Sequence, residues 1–315
     1  MPYRIAGNGA KSLAGGITTV RDCGGLPGLT FAYQRAMREG LVVGPNVVAC
    51  ERVITTTGGH LYFVGREADS AQELRLAARE QAKAGSEFVK VCGSGGRKTP
   101  GRANLRRAAQ YSAEELKVLV EESHRYGLRV ASHAHSTLSI EAAVAAGVDS
   151  VEHCLWLDER EGLRYEPRVV ERMASQGTFV TLSLGGFFPR PGLGSGPDPE
   201  IPPLEEYLPL YAAMREAGVR LVVGGDTGGP HNPFGGLVWH LELMGRFGMS
   251  SRELLAAATS EAAACLDRPD LGALQPGRRA DFIAIRGDPL AEVRALWNVN
   301  QVFLGGRSVW RSCAK

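Results

Sequence analysis

The sequence has no strong excess of charge of either sign. Its 315 residues include 36 Lys and Arg and 34 Asp and Glu, and the formal net charge is +2. The basic residues are dispersed rather than clustered, so there is no electrostatic footprint for nucleic acid or for an anionic membrane surface. We therefore expect a small-molecule substrate as the partner of this chain.

Close pairs of cysteines are absent as well. The six cysteines are scattered along the chain, at Cys23, Cys50, Cys92, Cys154, Cys265 and Cys313. This spacing argues against a CxxC zinc or redox motif and against a disulfide scaffold. No apolar run reaches the roughly 18 residues of a membrane span, and no charged-then-apolar leader opens the sequence. The scattered cysteines fit a reducing cytoplasm, and we expect no membrane partner.

The central stretch, residues 129–154, repeats a pattern in which an apolar run ends in histidine. One strand-like run ends in His133 and His135, an alanine-rich helical segment follows, and a second run ends in His153. This is a βαβ unit, whose two strands are parallel and end on the same side of the sheet. Imidazoles at that edge predict a metal site, and hydrogen-bonded core histidines are the alternative.

Two further apolar runs end in a polar residue, Lys90 and Asp226. A charged residue after such a run needs a partner, because an unpaired buried charge is costly. Four metal-compatible groups therefore terminate four predicted strands. His60 and His231 stand on loops near the same strand ends and are candidates for substrate contact. A structural role in a turn is the alternative for His60.

Strands and helices alternate along the chain, which predicts an α/β fold with a parallel sheet. The pattern predicts seven strands, at 17–22, 46–54, 87–92, 129–134, 149–153, 178–184 and 219–226. A (β/α)₈ TIM-type barrel has eight, so we predict a barrel that lacks its first strand. Short β segments with turns follow. We predict a barrel over residues 1–266 and a small C-terminal β appendage over residues 267–315.

These segments resemble the metal-dependent amidohydrolase superfamily, in particular its imidazolonepropionase-like and prolidase-like members. The matching motifs, in the order of the family, are GITTVRDCGG, TTGGH, FVKVCGSGG, VASHAHS, VEHC, GGDTG and LGALQPGRRADFIAI. The resemblance implies a hydrolase that uses metal-activated water to cleave a C–N amide-type bond. The implied substrate is a cyclic amide, an N-acyl compound or a dipeptide-like molecule. It also implies a homo-oligomer and a flanking composite β-sandwich that includes residues 267–315.

The resemblance implies a role for each candidate residue. Lys90 matches the lysine that such enzymes carboxylate to a carbamate bridging two metals, and His133 and His153 match the next two ligands. Asp226 matches the aspartate that binds metal and handles the proton of the attacking water. His135 is our candidate for the second donor that helps to polarise the scissile carbonyl. The implied cofactor is a divalent ion, zinc in class, with one or two ions per chain.

One feature of the family is missing. Its first barrel strand ends in a His-x-His pair that holds the more buried metal, whereas the first histidine here is His60. We expect a single ion, held by His133, His153 and the Lys90 carbamate. We also expect the coding frame to extend upstream into a strand with the missing motif. The alternative is a non-catalytic barrel that binds a ligand or a partner subunit.

Overall fold

A computed structural model gives the fold of the chain. It describes residues 2–97, 99, 105–192, 198–228 and 232–312. The helices are α1 (Pro2–Ala14), α2 (Leu29–Arg38), α3 (Ala71–Ala84), α4 (Ala113–Arg125), α5 (Thr137–Ala146), α6 (Pro167–Gln176), α7 (Leu204–Glu216), α8 (Leu237–Gly245), α9 (Ser251–Ala258) and α10 (Ser260–Cys265). The strands are β1 (Thr19–Asp22), β2 (Asn46–Ala49), β3 (Ile54–Thr55), β4 (Arg66–Glu67), β5 (Phe88–Cys92), β6 (Arg129–Ser136), β7 (Ser150–Leu157), β8 (Phe179–Leu182), β9 (Arg220–Val223), β10 (Phe282–Ile285), β11 (Val299–Leu304) and β12 (Arg307–Arg311).

The barrel wall is a parallel sheet. Among the described residues, seven strands pair in the order β4-β3-β5-β6-β7-β8-β9, and β1 pairs with β2 in a ladder of its own. A hydrogen bond from Glu87 N to Ala49 O, 2.8 Å long, places β2 beside the start of β5. The predicted α/β class with a parallel sheet is confirmed.

The predicted strand over 46–54 is wrong as one element, because the chain turns between β2 and β3. The backbone N–H of Glu51 donates to the side chains of Gln81 and Ser86, at 3.0 and 2.9 Å, instead of to a neighbouring strand. Several other bounds also differ, among them the end of β6 at Ser136 and the end of β8 at Leu182. Strand β7 runs on to Leu157, and β9 ends at Val223, so Asp226 lies in the loop that follows.

Among the described residues, the barrel wall is open between β1 and β9, as the count of seven predicted strands suggests. Within the described part of the chain, β1 has β2 as its only strand partner and β9 has β8. The end of α1 closes against the loop before α8 through two glycines, Gly15 and Gly235. A Cβ at Gly15 would overlap the Cα and carbonyl oxygen of Gly235. Glycine is therefore required for this backbone contact.

Helix α5, which joins the two histidine strands, has clear signals at both ends. Ser136 accepts a hydrogen bond from Ser139 N at its start, and Gly147 ends it with a φ of 82°. A serine N-cap and a left-handed glycine are the residues that these positions favour. Side chains such as Ile140 and Val144 pack into the layer between sheet and helices, where most of the core lies. The βαβ unit predicted from the sequence is confirmed.

The C-terminal segment forms a separate antiparallel sheet in the order β10-β11-β12. Leu13 of α1 packs against Val299 and Val302 of this sheet, so the two ends of the described chain share one small core. The division into a barrel over 1–266 and a β-sandwich segment over 267–315 stays a prediction. None of the described helices combines the length and the apolarity needed to cross a membrane.

Candidate active site

Three adjacent strands bring the predicted ligands to one end of the sheet. Cys92 of β5 is in register with His133 of β6, and Ala134 of β6 is in register with His153 of β7. Lys90 lies two residues before Cys92 on β5, and its side chain is buried. The carboxyl ends of parallel strands are where ligands bind in such folds. Register alone therefore places these groups at one site.

A local irregularity turns His153 toward its neighbours. Successive side chains of a strand point to opposite faces, and Glu152 already points into the barrel. The pairing of β6 with β7 shifts between Ala134 and Ser136, and His153 has a φ of 70°, a left-handed value that is uncommon for residues other than glycine. Strain of this kind is concentrated at functional sites.

The histidines form a compact cluster of buried rings. The centroid of the His133 ring lies 4.2 Å from that of His135 and 4.7 Å from that of His153. One ring nitrogen from each of the three lies within 4.8 Å of the others. His60 stacks on His133 at 4.5 Å, and Phe187 packs edge-on against His135 at 5.4 Å. The structure thus brings four of the predicted site histidines together.

Hydrogen bonds decide which nitrogen of each ring can bind a metal. His133 Nε2 lies 3.2 Å from the carbonyl oxygen of Gly95, which can only accept, so Nε2 carries the hydrogen and Nδ1 keeps a lone pair. His153 Nδ1 lies 2.5 Å from Ser183 Oγ. When this Nδ1 donates to the hydroxyl, the Nε2 lone pair of His153 is available. These two rings are suited to be ligands.

His135 has the opposite arrangement. The Nε–H of Arg106 donates to His135 Nδ1 at 3.3 Å, and a guanidinium cannot accept a hydrogen bond. In the neutral ring Nε2 therefore carries the hydrogen. This nitrogen is buried and has no hydrogen-bond partner among the described residues. The cluster of three imidazoles is accordingly two potential ligands and one donor, not a three-ligand site.

The imidazoles are neutral at neutral pH. Burial, followed by the charges of the neighbouring histidines, lowers the pKa values of His133 and His135 well below the usual value. Burial also lowers the pKa of His153, although the Asp226 carboxylate opposes this shift. A metal binds only the neutral ring, so the site is prepared for a cation.

Charged groups lie beneath the histidines in the barrel interior. Glu152 Oε1 is 2.6 Å from Arg21 Nη2 and accepts a hydrogen bond from Ser150 Oγ at 2.8 Å. Burial alone would raise the pKa of Glu152, but the charges of Arg21 and Lys90 lower it to about 2. Lys90 itself forms neither a hydrogen bond nor an ion pair with any other described residue.

The remaining predicted residues lie around this cluster. Asp226 has a φ of 43°, and its backbone oxygen accepts from Asn232 Nδ2 at 3.1 Å. Its carboxylate is not part of the three-histidine group, although its charge acts on His153. His60 Nδ1 lies 3.1 Å from Thr99 Oγ1. His231 falls outside the described residues.

Two residues at the site escaped the sequence reasoning. His240 of α8 is buried beside the site loop, where Gly185 N donates to its Nδ1 at 3.2 Å, and burial lowers its pKa to about 4. A histidine in a helical stretch is expected to be either solvated or part of the core, and His240 is buried. Arg106 was missed because it stands in a polar loop, and its partners Asp198 and Glu200 are about 90 residues away in the sequence.

Comparison with known proteins identifies relatives of this chain. The profile of the amidohydrolase family matches residues 2–309. The chain belongs to the amidohydrolase family. This amidohydrolase is 29% identical over 337 aligned residues to the ochratoxinase of Aspergillus niger, an alignment that covers 96% of the chain and 68% of the relative. It is 29% identical over 187 residues to an imidazolonepropionase of Cereibacter sphaeroides, covering 58% of the chain and 42% of that protein.

Solved structures show the same fold. The crystal structure of A. niger ochratoxinase matches the amidohydrolase with a TM-score of 0.79 at 27% identity, covering 98% of this chain and 75% of that one. A putative prolidase from Bifidobacterium longum matches with a TM-score of 0.82 at 25% identity, covering 98% and 77%. The predicted superfamily and barrel fold are confirmed, and the chain is a hydrolase of carbon–nitrogen bonds.

Proposed function

We propose that this amidohydrolase is metal-dependent and hydrolyses an amide-type C–N bond in a small molecule, namely a cyclic amide, an N-acyl compound or a dipeptide-like substrate. One observation carries the proposal. Neutral His133 and His153 lie on adjacent parallel strands, and each offers one ring nitrogen within 4.8 Å of the nitrogen that the other offers. The named activities of the relatives, an imidazolonepropionase, an ochratoxinase and a putative prolidase, support it.

The residues present fit a divalent ion of the zinc class. His133 would bind through Nδ1 and His153 through Nε2, and imidazole nitrogens are ligands that zinc prefers. When bound, such an ion supplies Lewis-acid activation of a water molecule and of the scissile carbonyl. Two imidazoles alone leave the ligand set incomplete, so a third protein ligand is needed.

Carboxylated Lys90 supplies that third ligand in our proposal. The unmodified ammonium would be buried without a hydrogen bond or ion pair to a described residue, which is costly. It would also repel a cation bound by His133, whose strand is adjacent. A carbamate reverses the charge and offers two oxygen ligands. Mass spectrometry under native conditions, with Lys90→Met as control, tests for the mass of one bound carbon dioxide.

The other residues handle the proton and the carbonyl. Asp226 takes the proton of the attacking water as a general base and returns it to the leaving nitrogen as a general acid. His135 donates its Nε2 hydrogen to the carbonyl oxygen, where negative charge develops in the transition state. His60, which lies above His133, contacts the substrate. His231 retains its proposed role in substrate contact.

The experiment removes and restores the metal. We would strip the purified chain with a chelator, reload it with zinc, manganese or cobalt, and assay cyclic amides, N-acyl amino acids and dipeptides. Turnover of one class should return only with metal. The His133→Ala/His153→Ala variant should neither bind the ion nor turn over. Metal binding by that variant at the level of the parent would refute the proposed ligands.

We also propose the setting in which the enzyme works. The edges of β1 and β9 favour a homo-oligomer, because open strand edges tend to pair. Five cysteines are free thiols in the described residues, which fits a reducing cytoplasm. Analytical ultracentrifugation tests the first point, and a thiol count on protein purified without reductant tests the second.

A further inference from the structure

Arg106 links a distant loop to the histidine cluster. Its side chain is buried and uses all three of its nitrogens. Nε donates to His135 Nδ1 at 3.3 Å, Nη1 to Glu200 Oε2 at 2.6 Å, and Nη2 to Asp198 Oδ2 at 2.8 Å. The two carboxylates belong to the segment before α7, and Arg106 belongs to the segment before α4. One guanidinium therefore joins two loops and one site residue.

The carboxylates fix the direction in which the guanidinium points. Charge-assisted hydrogen bonds to a planar arginine fork are short and set its geometry, and arginine stays charged at any pH the protein experiences. Asp198 is buried with Arg106, whereas Glu200 is exposed. With the two Nη atoms held in this way, the Nε–H can point only at His135.

We propose that Arg106 is a positioning residue that holds His135, a ring of the His133/His135/His153 cluster, in the tautomer with hydrogen on Nε2. The role of this hydrogen, which is donation to the substrate carbonyl, rests on the proposed function. The assignment of the tautomer does not depend on that function. If Nδ1 carried the hydrogen, it would oppose the N–H of Arg106, and the donor at Nε2 would be lost.

A purely structural role does not account for the unpaired nitrogen. His135 Nε2 is buried with no hydrogen-bond partner among the residues that the structure describes. Leaving a buried donor unpaired is costly, and such a cost is retained where the donor has a function. The neighbouring Arg107 shows the contrast. Among the described residues it donates only to backbone oxygens, those of Asp158, Gly162 and Glu200, and has no hydrogen bond to a histidine.

The test reads the tautomer directly. Long-range proton–nitrogen correlation spectra of the metal-free chain, labelled with ¹⁵N-histidine, distinguish a ring nitrogen that carries hydrogen from one that does not. The His135→Gln spectrum identifies the His135 signals. We expect the Nε2–H tautomer in the parent, a shift toward Nδ1–H in Arg106→Met, and recovery of Nε2–H in Arg106→Lys, which keeps a charged donor.

Arg107→Met is the matched control, because it removes contacts from the same loop but none to His135. It should leave the tautomer unchanged. The assignment is wrong if the parent holds Nδ1–H, if Arg106→Met keeps the parental tautomer, or if Arg107→Met changes it equally. Should Arg106→Met fail to fold, Asp198→Asn weakens the anchor with little change of shape. An unchanged tautomer ratio there would overturn the proposal.

Kinetics of the metal-loaded enzyme give a second readout. Arg106→Met should lower kcat by about 10–100-fold, the usual effect of losing a residue that orients a site group. KM should change much less, because the donor acts on charge that develops in the transition state. If the parent does not hydrolyse any of the substrates but shows the Nε2–H tautomer, the proposed function is refuted. The assignment of Arg106 as a positioning residue still holds in that case.

Discussion

Arg21 Nη2 lies 2.6 Å from Glu152 Oε1, and this ion pair joins β1 to β7 across the interior of the barrel. Both side chains are largely buried, with 12% and 8% of their surface exposed. Arg21 also donates to Thr181 Oγ1 of β8 at 3.4 Å. Strand β1 is thus attached to β7 and β8, on the opposite wall of the barrel, through one side chain.

Removal of this arginine should be costly. Arg21→Met leaves the carboxylate of Glu152 buried without its ion-pair partner, with the hydrogen bond from Ser150 remaining, so we expect the free energy of unfolding to fall by about 3–5 kcal/mol in urea titrations. Arg66→Met, which breaks the more exposed pair with Glu80, should cost no more than about 1 kcal/mol. The double variant Arg21→Met/Glu152→Met should recover much of the loss. Equal losses for Arg21→Met and Arg66→Met would contradict this account.

The contact between Gly15 and Gly235 can be tested by comparing two glycine-to-alanine variants, one at Gly15 and one inside α1. Gly15→Ala places a methyl group on the backbone of Gly235, which cannot move aside as a flexible side chain would, so stability should fall by about 1–3 kcal/mol. Gly7, inside α1, has open space around it. Gly7→Ala should therefore raise stability by up to about 1 kcal/mol. Thermal unfolding that ranks the two variants in the reverse order would refute the packing described.

The buried histidines predict a loss of stability in acid. Folding lowers the pKa values of His133 and His135, so below about pH 6.5 the unfolded chain binds more protons than the folded one. The free energy of unfolding of the metal-free chain should therefore fall as the pH drops from about 7.5 to 5.5. Each group contributes on the order of 1 kcal/mol per pH unit. The His133→Asn/His135→Asn variant should show a shallower slope, and an unchanged slope would count against these shifts.

Asp226 and His153 should differ in what their loss removes. Asp226→Asn keeps the shape of the side chain and removes the proton acceptor, so we expect turnover to vanish while metal content stays near that of the parent. His153→Ala should lose both, because it removes a proposed ligand. Elemental analysis and assays of the two purified variants separate the roles. Near-native turnover of Asp226→Asn would show that another group handles the proton.

The sequence predicted the parts of the site that depend on periodicity. His133 and His153 end apolar runs joined by a helix, and parallel pairing of β6 and β7 was enough to place them together. The left-handed φ of His153 was not predictable, because nothing local in the sequence marks a register shift.

Contacts made across long stretches of sequence were also beyond prediction. The division of the strand over 46–54 depends on the side chains of Gln81 and Ser86, which take the N–H of Glu51. Arg106 became visible as a site residue only when its hydrogen bond to His135 was seen. Such pairings are decided by tertiary packing, and local pattern does not encode them.

The central claim is that His133 and His153 bind one divalent ion that hydrolysis requires. Metal stoichiometry tests this claim most directly. Elemental analysis of the purified chain, before and after dialysis against a chelator, should find about one zinc-class ion per chain, lost together with turnover and regained with it. The His133→Ala/His153→Ala variant should hold none. Two tightly bound ions in the parent, or an ion retained by that variant, would contradict the account.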